Sequence, residues 1–298
     1  MIVPNSQIDR KKWDQCVLNA KPEGFYFMLS WYLDAVAPTW EGYIEGDYTA
    51  IYPLSPKRRF GIKYLTQPFM TRSFIPIGFT ETQETDLTRY LSRHFAFLQL
   101  AGPIVSQPSD QVTRVFQKLD IKNFSLAVCS ENHRRQYKKA QQQGFELRRT
   151  VAPEALIRLF KTVKGNEFKQ VKEKDYQSLL RLMELAENKG VLHQFSIFKH
   201  QELVGTAAYI VIDGHALYLK GAVTPECQKL GGMVYLHVEA IQVLSASCVH
   251  LDFGGSNARG LGDFNRKFGA EDLEYLLLTR NKLPRLLKGF LRKKFGMA

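Results

Sequence analysis

From residue 145 onward the apolar positions switch regularly between two periods. Residues 145–150 read as a short strand, and 153–164 carry Ala155, Leu156, Leu159, Phe160 and Val163 at the i, i+3, i+4 spacing of a helix. Residues 174–189 repeat that spacing with Tyr176, Leu179, Leu180, Leu182, Met183 and Ala186, and Gly190 is a normal helix stop. Residues 191–198 and 203–212 are rich in β-formers, and Asp213-Gly214 makes a tight turn into a third strand over 215–223. A loop at 225–232 leads to 233–246, apolar on every side except for His237, Glu239 and Gln242, which predicts a buried helix. A strand at 248–253, a glycine-rich turn at 254–256, a short helix at 262–268 and a strand at 274–279 complete the order β-α-α-β-β-β-α-β-α-β.

The first half carries a fainter copy. Residues 8–19 and 28–37 read as helices, and 40–45, 48–55 and 62–67 as strands with a turn at 45–47. Residues 86–95 are helical, 96–101 extended, 111–119 helical and 124–129 extended. A recurrence at roughly 140 residues is too long for a solenoid repeat and predicts two related domains. The expected boundaries are 1–130 and 145–298, joined by a basic helix over 131–144. Each domain is expected to be a mixed α/β fold, a mostly antiparallel sheet flanked by helices.

The composition agrees with full hydrophobic cores, at 298 residues with 45% apolar and 23% charged positions. Cys16, Cys129, Cys227 and Cys248 are widely separated, lack metal-ligand spacing and lie in apolar stretches. They predict buried thiols, no zinc and a reducing cytoplasm. Residues 1–12 lack the basic-then-apolar order of an export signal, and no uninterrupted apolar run reaches the ~18 residues of a membrane span. The net charge of +12 predicts an anionic partner: nucleic acid, coenzyme phosphates, a nucleotide-linked substrate or acidic lipid. Two basic clusters stand out. One is Arg134, Arg135, Lys138 and Lys139, in which like charges at i, i+4 oppose helix formation unless an anion binds or water solvates them. The other, 283–295, reads as a basic amphipathic helix that either docks on its own domain or makes peripheral membrane or RNA contact.

The element order of the second half, with Gln228-Lys-Leu-Gly231-Gly232-Met233 opening the buried helix, resembles the GNAT acyltransferases and their diphosphate loop, [QR]-x-x-G-x-[GA]. In such a loop successive backbone N–H groups and a helix N-terminus hold the coenzyme diphosphate, so small residues are needed. The resemblance implies acyl-coenzyme A binding at Gln228, Leu230, Gly231, Gly232 and Met233. Met233 departs from the family's Gly or Ala, and a short glycine loop also serves as a plain connection.

Further stretches resemble Fem-type transferases, the peptidoglycan-bridge group with two tandem GNAT folds. They are Asp252-Phe-Gly-Gly-Ser256, then Gly260-Leu-Gly-Asp-Phe264-Asn265-Arg-Lys-Phe268-Gly269-Ala270, and Arg134-Arg135 with Lys138-Lys139-Ala140 and Gly144. The resemblance spans nearly the whole chain. It implies an acyl or aminoacyl donor, coenzyme A or tRNA, an acceptor belonging to the cell envelope, and an acceptor cleft between domains served by Arg134, Arg135 and Lys138. Asn265 stands where the Fem pattern usually has lysine, and a neutral amide offers an oxyanion or phosphate only a modest hydrogen bond. That departure favours a thioester donor over aminoacyl-tRNA. The first half lacks a glycine loop after 62–67 and reads as a degenerate copy; a binding protein that kept the fold is the third reading.

Acyl transfer to an amine needs a proton acceptor and a polarised carbonyl. Alternation along 248–253 puts His250 and Asp252 on one face, as a candidate base or as an interior histidine and a cap for the glycine turn. Lys220, within an apolar strand, either snorkels or faces an acidic substrate. Asp263 reads as a helix cap or a base. P-loop, GxGxxG, HExxH and GxSxG motifs are all missing, which leaves no support for ATPase, dehydrogenase, zinc-protease or hydrolase chemistry.

Overall fold

The computed structural model describes residues 1–59, 61–102, 104, 108–165, 171–255 and 260–283. The segment 284–298, which holds nearly all of the expected amphipathic helix, and Ser256 lie outside the described residues. The chain divides into two compact units, one formed by Met1–Arg114 with the chain from Tyr275 and the other by Val115–Glu274. These limits differ from the expected 1–130, 131–144 and 145–298: the basic helix lies inside the second unit and the last strand ends in the first.

The first unit opens with β1 (Ile2–Pro4) and α1 (Arg10–Ala20). Asp9 caps α1 by accepting the N–H groups of Lys11 and Lys12, and the helix buries Trp13 and Val17. After α2 (Ser30–Val36), strands β2 (Glu41–Glu45) and β3 (Ala50–Leu54) form a three-stranded antiparallel sheet with β1. The predicted strand over 48–55 thus ends at Leu54, and β4 (Pro56–Arg59) turns away to pair with β5 (Ile62–Thr66). A capping box of Thr80 and Gln83 starts α3 (Glu81–His94), which buries Leu87 and Leu91. Strand β6 (Phe97–Ala101) then lies parallel to β5. A parallel pair joined through a helix is the arrangement the second half also has.

Two expectations fail at the junction. Residues 111–119 are not helical but form β7 (Asp110–Asp120), although Val112, Val115, Phe116 and Leu119 fit a helical stripe. Valine, threonine and phenylalanine suit a strand equally well, and pairing with a neighbouring strand decided between them. Residues 124–129 are not extended; a single 3-10 turn at Leu126–Val128 brings the chain to Ser130.

In the second unit, Ser130 accepts the N–H of His133 and caps α4 (Glu131–Gln141), which buries His133, Tyr137 and Ala140 along one stripe. Then follow β8 (Glu146–Arg149), α5 (Pro153–Lys164), with Pro153 at its first turn, and α6 (Glu173–Asn188). Strands β9 (Leu192–Lys199), β10 (Glu202–Ile212) and β11 (His215–Val223) form the expected meander. The expected loop at 225–232 holds a short helix, α7 (Pro225–Lys229), capped by Thr224, before α8 (Gly232–Leu244). Strand β12 (His250–Gly255), α9 (Leu261–Arg266) and β13 (Glu271–Asn281) close the order. The sheet of this unit runs β7-β12-β11-β10-β9-β8, with β11 and β12 parallel. Its core packs the largely apolar α8 against Phe195, Tyr209, Leu251, Phe253 and Phe268.

Candidate active site in the second unit

Strands β11 and β12 pair through His215 with His250, Ala216 with Leu251 and Leu217 with Asp252. Beyond those positions β11 runs on to Val223 with no further pair to the described part of β12, while β12, paired along its other edge with β7 from His250 and Asp120 onward, shifts its register between Asp252 and Gly255. Two parallel strands that part in this way leave a wedge at their C-terminal ends, where open α/β sheets bind ligands. The chain leaving β11 at Val223 passes through α7 directly into the first turn of α8.

Gly231 and Gly232 form that turn for steric reasons visible in the packing. Gly231 has φ +85°, and a Cβ there would stand 2.4 Å from the carbonyl oxygen of Gln136 on α4. A Cβ on Gly232 would stand 2.1 Å from the Cys227 sulfur. The N–H of Leu230 and that of Gly231 close the end of α7, bonding to the carbonyls of Cys227 and Gln228. The N–H groups of Gly232, Met233 and Val234 begin α8, where helix geometry supplies no acceptor. Met233 is half-buried and Gln228 exposed. The five residues expected at the donor loop therefore share one turn between α7 and α8.

Other predicted residues lie elsewhere. His250 pairs with the first residue of β11 and packs 5.7 Å from the His215 ring. Asp252, fully buried, is opposite Leu217 and accepts the N–H of Gly254, bracing the turn that ends β12. Val223 lies six residues further along β11 than Leu217, roughly 20 Å at the rise of a strand. His250 and Asp252 are thus at the paired end of the strands and the α8 turn is at the open end. Asn265 is buried too, and its amide donates to Gln117, which in turn donates to Asp272. Gln117 and Arg266 hold the Asp272 carboxyl below its ordinary range.

Lys220 occupies the diverging part of β11. Ala208 pairs with Lys220 but Tyr209 pairs with Tyr218, so Leu219 is an extra residue on β11 and the alternation of side chains is reversed across it. Tyr218 consequently points to α8, 4.9 Å from the His237 ring, while Lys220 points to α5 with its ammonium 4.5 Å from the Phe160 ring centroid. Burial lowers the Lys220 amine to about 8. On the same face Gln194, Ser196 and Thr206 are buried and joined by hydrogen bonds, with Thr150 completing the row.

The basic residues of α4 point outward. Arg134 reaches the Ala127 carbonyl, Arg135 lies 3.9 Å from Glu131, and Lys139 donates to the Lys229 carbonyl beside the turn between α7 and α8. Lys138 is exposed. Asp263 pairs with Arg266 at the start of α9.

An aromatic cluster that no local sequence motif marks lies around His237 of α8. His237 is enclosed by Tyr209, Tyr218, Phe253, Phe264 and Phe268, and burial lowers it to about 3. His133 of α4 donates through Nε2 to the Phe264 carbonyl, leaving Nδ1 buried without a partner, and burial lowers this ring to about 4. The His133, Tyr137, Ala140 spacing was the signal available in sequence. Among the described residues no group of acidic, histidine or cysteine side chains is arranged to hold a metal ion. No helix among them is long and apolar enough to cross a membrane. Two clefts in the first unit, of about 740 and 470 Å3, include none of the predicted site residues.

The sequence profile of the acetyltransferase (GNAT) domain matches residues 128–265, from just before α4 to Asn265 within α9. No curated protein matches in sequence. The fold is similar to that of FemX, with a TM-score of 0.64 and 11% identity over 96% of this chain and 98% of that one. It is similar to the C-terminal domain of a protein described as a lysylphosphatidylglycerol synthetase from Agrobacterium fabrum, with a TM-score of 0.59, 10% identity and 98% and 96% coverage. A tandem GNAT protein from the clavulanic acid biosynthesis pathway gives a TM-score of 0.55, 12% identity and 95% and 99% coverage. Residues 128–265 therefore carry a GNAT acetyltransferase domain, and the chain is similar in fold to FemX and to a tandem GNAT protein.

Proposed function

We propose that the second unit transfers an acyl group from an acyl-coenzyme A thioester to an amine. The observation that carries this reading is the parting of β11 from β12 on the strand that leads through α7 into the first turn of α8, inside the stretch that matches the acetyltransferase family. The N–H groups of Gly232, Met233 and Val234 would hold the diphosphate, and the acyl arm would lie along β11 in the wedge. The amine nitrogen attacks the thioester carbon, the carbon–nitrogen bond forms and the carbon–sulfur bond breaks. Lys220, on the α5 face of the diverging section, takes the proton the nitrogen loses, and the departing thiolate is protonated by solvent. Holding donor and acceptor together supplies much of the acceleration in such a reaction.

Isothermal titration with acetyl-coenzyme A tests the donor. Binding is expected at micromolar to millimolar concentration, and an absence of heat at millimolar concentration overturns it. The exposed row Arg134, Arg135 and Lys138, with the Fem resemblance, supports a second reading in which the donor is aminoacyl-tRNA and the acceptor a cell-envelope precursor. Retarded migration of charged tRNA at physiological salt, together with no acetyl-coenzyme A heat, would favour it. Failure of both assays would leave a binding protein.

A further inference from the structure

The hairpin of β4 and β5 sets Arg58 directly opposite Lys63 in its antiparallel register. Like charges in that position, with Cβ atoms about 5 Å apart, destabilise a ladder. Neither flanking register pair contains an acidic residue, since Lys57 faces Tyr64 and Arg59 faces Ile62. Among the described residues neither Arg58 nor Lys63 has an ion-pair partner.

Both residues line a cleft of about 470 Å3 within the first unit, together with Arg93, His94 and Lys282. None of the described lining residues is acidic. Part of this charge has a local explanation. Arg93 and His94 stand in the last turn of α3, where cations complement the helix dipole. Lys282 donates to the Ser92 carbonyl in that same turn. Helix chemistry does not explain why a separate hairpin brings two more cations, paired across its register, to the same cleft. A local rule broken without visible compensation marks a functional position.

We infer that this cleft binds a phosphate-bearing small molecule, its anionic group set between Arg58 and Lys63 with Arg93 and Lys282 around it. The volume lies in the range of roughly 300–1,000 Å3 typical of small-ligand sites. Two guanidinium groups supply planar forks for phosphate oxygens, and the ammonium groups supply point charges. The bound anion removes the repulsion that the hairpin otherwise carries. The cleft is built entirely from residues of the first unit, at the start of β5, so the inference does not depend on the acyl-transfer reading of the second.

The test uses the full chain, inorganic diphosphate and ADP in isothermal titration at low salt, and sedimentation with phosphatidylglycerol-containing vesicles against pure phosphatidylcholine. The informative variant is Lys63→Glu. It replaces a like-charge pair by an opposite-charge pair, so its thermal midpoint should be unchanged or higher, and lost binding then cannot be ascribed to unfolding. Expected is diphosphate binding that weakens at least tenfold in Lys63→Glu, while the acetyl-coenzyme A titration of that variant matches the parent chain. If only vesicle binding is present and Lys63→Glu loses it, the site stands and its phosphate is a lipid headgroup. Diphosphate or vesicle binding untouched by Lys63→Glu, or no binding of either probe, overturns the inference.

Discussion

The Tyr209 hydroxyl and Nδ1 of His237 are hydrogen-bonded at 2.9 Å inside a ring of aromatic side chains, with both residues fully buried. His237 is thereby kept neutral, lowered to about 3, and His133 nearby is lowered to about 4. An unfolded histidine titrates near 6.5. Between pH 6.5 and about 4 the unfolded chain therefore binds protons that the folded one refuses, and stability falls as pH falls. The guanidinium unfolding midpoint should decline across that window, and His237→Gln should flatten the decline. An unchanged slope in the variant would show that this ring does not contribute.

Gly232 is predicted to be irreplaceable for packing. The Cys227 sulfur occupies the space of a Cβ, so Gly232→Ala should cost about 1–3 kcal/mol, as overpacked sites do. Cys227→Ala in the same chain should return part of that loss. Equal midpoints for Gly232→Ala with and without the second substitution would refute the contact as the cause.

Asn265→Lys, which restores the usual Fem residue, should not restore anything. Asn265 is buried against Gln117, and an ammonium group there would be desolvated at a cost of about 2 kcal/mol or more. A lowered thermal midpoint is the expected result. A variant as stable as the parent and active with aminoacyl-tRNA would speak for the second donor reading.

If Lys220 takes the proton, acyl transfer should rise with pH and level off near the value to which burial lowers the amine, about 8. Only the neutral amine accepts a proton, so the acid side of the profile is the side that should be lost. Lys220→Met should remove that limb and lower kcat at saturating donor, with acetyl-coenzyme A affinity retained. A profile identical to the parent's would assign Lys220 to packing on Phe160.

Much of the second unit was legible in the chain. The stripe of Leu156 and Phe160 in α5, the β-formers of β9 to β11 with their Asp213-Gly214 turn, and the apolar α8 each carry a local signal, because period and turn chemistry act over a few residues. Residues 111–119 show where that signal ends, since their apolar spacing fits a helix as well as a strand.

The sequence by itself determined the run of elements from α5 to β13, apart from α7, and the position of the Gly231-Gly232 turn, which follow from short-range sterics and burial. Tertiary structure alone decided what faces what. The extra residue at Leu219 turns Lys220 toward α5, Gln117 meets Asn265 from 148 positions away, and Arg58 meets Lys63 across a hairpin. A bulge, a buried amide pair and a strand register depend on which partner is present in space, and no local spacing encodes that partner.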